Sequence, residues 1–150
     1  MINDILTSIR DLIAESEALE NWCKAKFYQA HTVYLGIDEN TPPDDDEYPV
    51  IALSFPRIVH GDRSRYVYEI DMAAGVINED IEEDSTGRIK TMSGMLDAEE
   101  FIFMAEETVF KGYLGKVTFK REHMQFSMFP QFLSFSTITV EQLGKRQLRG

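Results

Sequence analysis

The chain has 150 residues, 43% of them apolar and 11% aromatic, with one cysteine and a net charge of −11. This length and apolar share fit one packed domain and exclude a disordered chain, and no apolar run approaches the roughly 20 residues of a membrane-spanning helix. The lone cysteine, Cys23, excludes an intrachain disulfide, and residues 1–115, with 9 Lys/Arg against 24 Asp/Glu, exclude duplex-DNA binding through that part of the chain.

From Ile2 to about Glu20, the residues Ile2, Ile5, Leu6, Ile9, Leu12, Ile13 and Leu19 recur at i, i+3, i+4, i+7, which predicts a one-faced surface helix. An N-terminus reading MINDILTSIR has no basic region of the secretory kind, so synthesis in the cytoplasm is expected. Trp22 and Phe27 are expected to fill the edge of the core. His31–Leu35 has strand composition, ended by Gly36. The stretch GIDENTPPDDDEYP follows, with three prolines, six acids and no Lys or Arg. It reads as an exposed loop presenting Asp44, Asp45, Asp46 and Glu47. Val50–Phe55 fits a strand buried on both faces and closed by Pro56. Gly61 and Asp62 signal a hairpin into a strand over Ser64–Met72, with Tyr66, Tyr68, Ile70 and Met72 toward the core. Between Gly75 and Gly94 the pattern dissolves. Glu79, Asp80, Glu82, Glu83 and Asp84 make this a second acidic loop.

Leu96–Leu114 predicts the central helix, with Asp97 as N-cap, Glu100 at N3 and a Leu96–Phe101 staple. Its apolar residues lie on two sides. Phe101, Met104, Ala105, Thr108 and Val109 make a broad face, and Phe103, Phe110 and Leu114 lie nearly opposite. Lys116–Arg121 predicts a strand, and Met124, Phe126 and Met128 continue it on the other parity, which calls for a bulge or break near Arg121–His123. Pro130 marks a turn, Phe132–Val140 a further strand, and residues 141–150 a basic tail. Residues 116–150 hold 6 Lys/Arg and 2 Glu, so the charge is dipolar along the chain. The order of elements predicts one α+β domain over residues 1–150, a mainly antiparallel sheet with two helices packed on one face.

No spacing points to chemistry. His31, His60 and His123 lie far apart, and Ser134 and Ser136 lack a nucleophile-elbow context. The EF-hand pattern fails after Asp38 and Asn40, where Pro42 and Pro43 follow, and phosphate-cradling glycine motifs are absent. Cys23 reads as a small apolar residue. No catalytic, metal or cofactor residue is assigned and no enzyme is expected.

The apolar surplus has two readings. Phe103, Phe110 and Leu114 either lie between the sheet and the first helix or meet another subunit. Phe126 and Met128, within a Phe/Met-rich run, either pack in the core or join a neighbour's sheet at an edge. The second reading makes the chain a self-associating domain, with heterologous contacts that close into a ring. The acidic loops allow one other class, a binding protein that presents negative charge to a basic partner as a DNA mimic does.

The order of elements also resembles the tail terminator (tail completion) proteins of lambda-like long-tailed bacteriophages. The resemblance is carried by the opening helix INDILTSIRDLIA, the strand YPVIALSFP after an acidic loop, and the hairpin through Tyr66–Met72. The helix LDAEEFIFMAEETVF and the closing strands KVTFKR and FLSFSTITV complete it. It implies a small α+β subunit, assembled in the host cytoplasm into a hexameric ring at the tail–head junction of the virion. Such a ring caps the tail tube, ends its polymerisation and presents the surface for head joining. The implied partners are further copies, the tail tube protein and the head–tail connector. DNA passes through without specific binding, and neither membrane nor cofactor is involved. A neighbouring connector or tube module is the closest alternative.

Overall fold

The computed structural model describes residues 2–38, 40–62, 64–121 and 126–143. Three helices, rather than two, accompany the sheet: α1 (Ile2–Ala14), α2 (Glu17–Phe27) and α3 (Ser93–Gly112). The expected first helix is cut at Ser16, whose hydroxyl accepts the Leu19 amide at 3.2 Å and caps a new helix. Leu19 therefore belongs to α2 rather than to the stripe of α1.

The strands are β1 (Thr32–Leu35), β2 (Val50–Gly61), β3 (Arg65–Ile77), β4 (Ile81–Glu83), β5 (Lys90–Met92), β6 (Lys116–Arg121), β7 (Phe126–Met128) and β8 (Gln131–Leu143). The main sheet runs β1-β2-β3-β8-β6, with β7 also on β8. Among the described residues only the β1–β2 pair is parallel. The α+β class with a mainly antiparallel sheet is thus observed. Pro56 does not close β2. The strand bulges between Ser54 and Arg57 and continues to Gly61, because a proline without an amide donor is tolerated where the ladder is interrupted. The expected hairpin follows, with Asp62 accepting the Ser64 and Arg65 amides at 2.7 and 2.9 Å.

The stretch from Gly75 to Gly94 is not a structureless loop. β3 runs on to Ile77, and β4 and β5 form a small antiparallel hairpin. Asp84 organises its turn by accepting from the Thr86 hydroxyl and from the Thr86, Arg88 and Ile89 amides, and these bonds hold its pKa below the usual range. The helix that follows begins at Ser93, four residues before the expected cap. Asp97 lies inside it, 8% exposed, where it accepts from Lys26 at 3.0 Å and from Asn78 at 2.9 Å. These distant partners use the oxygens that a capping box would have used.

Register places Leu53, Tyr68, Ile70, Met72, Ile138 and Val140 on one sheet face, buried with Ile5, Ile9 and Ile13 of α1 and with Phe101, Ala105 and Val109 of α3. The helix layer sits close: a Cβ on Gly94 would stand 2.4 Å from the Phe132 ring. Trp22 of α2 stacks on Phe101, centroids 5.2 Å apart. Where α3 crosses β8 the contact is polar. Ser136 donates to Glu106 at 2.7 Å, Ser134 donates to Glu99 at 2.9 Å, and Arg121 of β6 bridges both carboxylates. Burial opposes the Arg121 charge, but the Glu106 and Glu99 bonds outweigh it and raise its pKa.

Candidate functional site

Of the two apolar sides of α3, one is covered and one is open. Phe101, Ala105 and Val109 are fully buried, whereas Phe103 is 53% and Phe110 65% exposed. Leu96, also exposed, stands seven residues before Phe103, as Phe103 does before Phe110. At 3.6 residues per turn the three form one stripe along the helix. Burial between sheet and first helix, one of the two readings of this side, does not occur. Leu114 is fully exposed but lies beyond Gly112, where the helix has ended. It lines a hollow of about 640 Å³ with Arg65, Tyr113, Lys116 and Glu141. The stripe is flanked by Glu99, Glu100 and Glu107.

The sheet face turned away from the helices carries a second apolar surface, a groove of about 710 Å³. Ala52, Gly75 and Leu133 contribute to its lining, with Pro42 and Pro43 on one side. Met128, 63% exposed, lies here rather than in the core. Phe126 pairs its backbone with Leu133, while its side chain and Met124, His123 and the expected break near Arg121–His123 lie wholly or partly outside the described residues. β6 and β7 lie end to end along the same side of β8 as the edge of the sheet. Phe55 sits at φ +49 with its ring 66% exposed, next to the β2 bulge. The left-handed conformation costs a residue with a β-carbon about 1–2 kcal/mol, and here it holds an aromatic ring at the groove in water. Gly75 lets Leu133 and Tyr48 close over the strand in the groove floor, since a Cβ there would meet them at 2.6 and 3.0 Å.

The two acidic segments leave the same end of the sheet. β2 begins at Val50, opposite Gly75 near the end of β3, so residues 38–47 precede one strand where residues 78–84 follow the other. The first segment is anchored by Gln29 donating to the Asp46 carbonyl at 2.7 Å and Thr32 donating to the Glu47 carbonyl at 2.8 Å. Tyr34 donates to the Glu47 carboxylate, which pushes the phenol pKa up. Asp44, Asp45 and Asp46 are exposed and make no ion pair among the described residues. Glu79 and Asp80 precede β4, Glu82 and Glu83 lie in it, and Glu83 meets Lys90 at 3.5 Å. The opposite end of the sheet carries Arg65, Lys116 and Glu141, linked at 3.2 and 2.9 Å. Glu141–Leu143 belong to β8, so the expected tail is shorter than residues 141–150. Residues 144–150 lie outside the described residues.

His31 bonds the Ile13 carbonyl at 2.6 Å and His60 bonds Asp62 at 3.1 Å. Among the described residues no three His, Cys, Asp or Glu side chains gather as a metal site, and no helix is long and apolar enough to cross a membrane. Cys23 is fully buried, and burial pushes its thiol up to about 12. At pH 8 about one part in ten thousand is then thiolate. A maleimide or disulfide reagent is therefore expected to leave the folded protein unmodified and to label it stoichiometrically in denaturant. Rapid labelling of the native protein would contradict this burial.

No protein-family model matches the chain, and no curated protein matches it.

Proposed function

We propose that the chain is a structural subunit that assembles into a ring in a long-tailed bacteriophage virion, as a tail terminator does. Such a ring caps the tail tube, ends its polymerisation and presents the head-joining surface. The observation that carries this reading is the open stripe of Leu96, Phe103 and Phe110. Three large apolar side chains in a row on one helix face have the character of a subunit contact. Their flanks favour a heterologous partner. Glu107, beside the stripe, is exposed and makes no ion pair among the described residues, which favours a partner surface that supplies a base over the same face of a second copy. A contact that does not pair with itself builds a closed ring when its rotation permits. The acidic segments also have a use in such a ring, because carboxylates lining a lumen repel DNA phosphates during genome transit.

The purified chain is expected to run as a closed ring by light scattering and electron microscopy, alone or on tail tubes. Phe103→Glu with Phe110→Glu should weaken assembly roughly 100-fold or more, because two aromatic anchors are replaced by charges. Thermal stability of the subunit should change by no more than about 0.5 kcal/mol, as befits exposed sites. A strict monomer at high concentration that also fails to bind tube protein would overturn the proposal. Polymerisation of the chain by itself into long tubes would favour a tube module instead.

The acidic end favours one other reading, a binding protein that offers negative charge to a basic partner. Salt-sensitive capture of a DNA-binding protein, lost when Asp44, Asp45, Asp46 and Glu47 are neutralised, would support that reading in place of the ring.

A further inference from the structure

The groove on the outer sheet face and the basic residues 144–150 are complementary in charge and polarity. Pro42 and Pro43 line the groove and lead directly into Asp44, Asp45 and Asp46, which are exposed and unpaired among the described residues. The site is thus apolar within and acidic along one side. Phe55 stands beside it with 66% of its surface exposed, an apolar area that a bound segment would cover. The ligand that matches is extended, basic, and carries an apolar side chain.

Residues 144–150, GKRQLRG, have that character, with Lys145, Arg146 and Arg149, no acid, and Leu148 between bases. β8 passes the groove at Leu133 and leaves the described structure at Leu143, the residue paired with Arg65 at the opposite end of the sheet. Ten residues of strand span roughly 33 Å. Arg149 stands six residues beyond Leu143, a reach of at most about 22 Å. The segment therefore reaches no further than the Phe55 edge of the groove in its own chain and falls short of Asp44–Asp46, which precede Val50 at the Leu133 end. A neighbour set end to end brings its segment to the groove without that limit.

We infer that the groove bounded by Pro42, Pro43 and Phe55 receives the basic segment 144–150 of a second copy, with Asp44–Asp46 pairing its Lys and Arg side chains. The inference rests on the self-association proposed above and adds the second half of the contact. It is heterologous, as a ring requires. It assigns Asp44–Asp46 to protein contact and leaves the β4–β5 hairpin as the acidic surface open to DNA.

Charge exchange in the full-length chain tests it. Lys145→Glu, Arg146→Glu and Arg149→Glu together should weaken assembly at least tenfold, and so should Asp44→Lys, Asp45→Lys and Asp46→Lys together. A chain carrying both sets should assemble to within about threefold of the original, since the pairs are restored in reverse. A labelled peptide of residues 141–150 should bind the unaltered chain, more weakly as salt rises, and should lose binding to the Asp44–Asp46 reversal. If the tail reversal assembles normally while Phe103→Glu with Phe110→Glu does not, this inference fails and self-association stands. If the unaltered chain is monomeric at every concentration, self-association fails. This inference then fails with it, and a peptide that still binds and is lost on Asp44–Asp46 reversal would assign the groove to a basic partner other than a second copy.

Discussion

Phe101→Ala is expected to lower the free energy of unfolding by about 3–5 kcal/mol, the range for truncating a fully enclosed aromatic side chain. Phe101 has no exposed surface, and its ring forms the face on which Trp22 stacks at an interplanar angle of 13°. Its removal leaves a cavity between α3 and the sheet and loosens α2, whose further links to α3 include the Lys26–Asp97 and Lys26–Glu100 pairs at 3.0 and 3.5 Å. With each kcal/mol worth about 2–4 °C in a chain of this size, the melting temperature should fall by about 10 °C. Urea unfolding followed by the fluorescence of Trp22, the single tryptophan, reads the change directly. The midpoint should fall with little change in slope. Phe103→Ala, two residues along the same helix, supplies the control. That side chain is half in water, and its loss should cost the subunit no more than about 0.5 kcal/mol. Equal losses at the two positions would contradict the division of α3 into a covered and an open side.

Arg121→Met should cost about 2–3 kcal/mol. Breaking an enclosed ion pair typically costs about 3–5 kcal/mol because the remaining charge is stranded. The lower figure applies because the Arg121 side chain keeps 32% of its surface and Glu106 retains the Ser136 hydroxyl. The sharper expectation is the coupling. Adding Glu106→Gln removes the stranded charge while keeping an oxygen for Ser136. The double variant should therefore be more stable than Arg121→Met alone, recovering about half of the loss or more. A double-mutant cycle by chemical denaturation measures this, and additive losses would show that the bridge contributes no pairwise energy. The same bridge joins β6 to α3, so Arg121→Met should also raise hydrogen exchange in β6 before it does so in β3.

The parts of this fold legible in the sequence are those whose cause is local. The α1 stripe as far as Ile13, the Asp62 turn and the alternation of β3 through Met72 need only periodicity or a turn residue, and these stand where those signals put them. The failures share a cause from outside the segment. Asp97 carries a capping pattern, yet its carboxylate is engaged by Lys26 and Asn78 from distant parts of the chain, and β5 runs straight into the helix at Ser93. Ser16 is a good cap, but continuous apolar spacing through Leu19 masks the break. Pro56 looks like a stop because the bulge that accommodates it depends on pairing with β3. The same holds for the candidate surfaces. Phe103 and Phe110 were legible as a second apolar side of a helix. The groove was not, because Pro43, Phe55 and Leu133 converge only through sheet pairing, and no spacing within any one segment announces them.

The place of β8 also bears on how the chain is made. Its thirteen pairs with β3 join the middle of the chain to its last described strand and form the centre of the sheet. β3 is complete at Ile77 and already has β2 as a hairpin neighbour, but its other edge stays open until Leu143 has been synthesised. The nascent chain therefore carries an unfilled edge on β3 from the time Ile77 is made until Leu143 is made, and cooperative folding of the sheet waits on β8. During that interval the many acids of the first 115 residues repel other nascent copies, a protection that acts before any native surface exists.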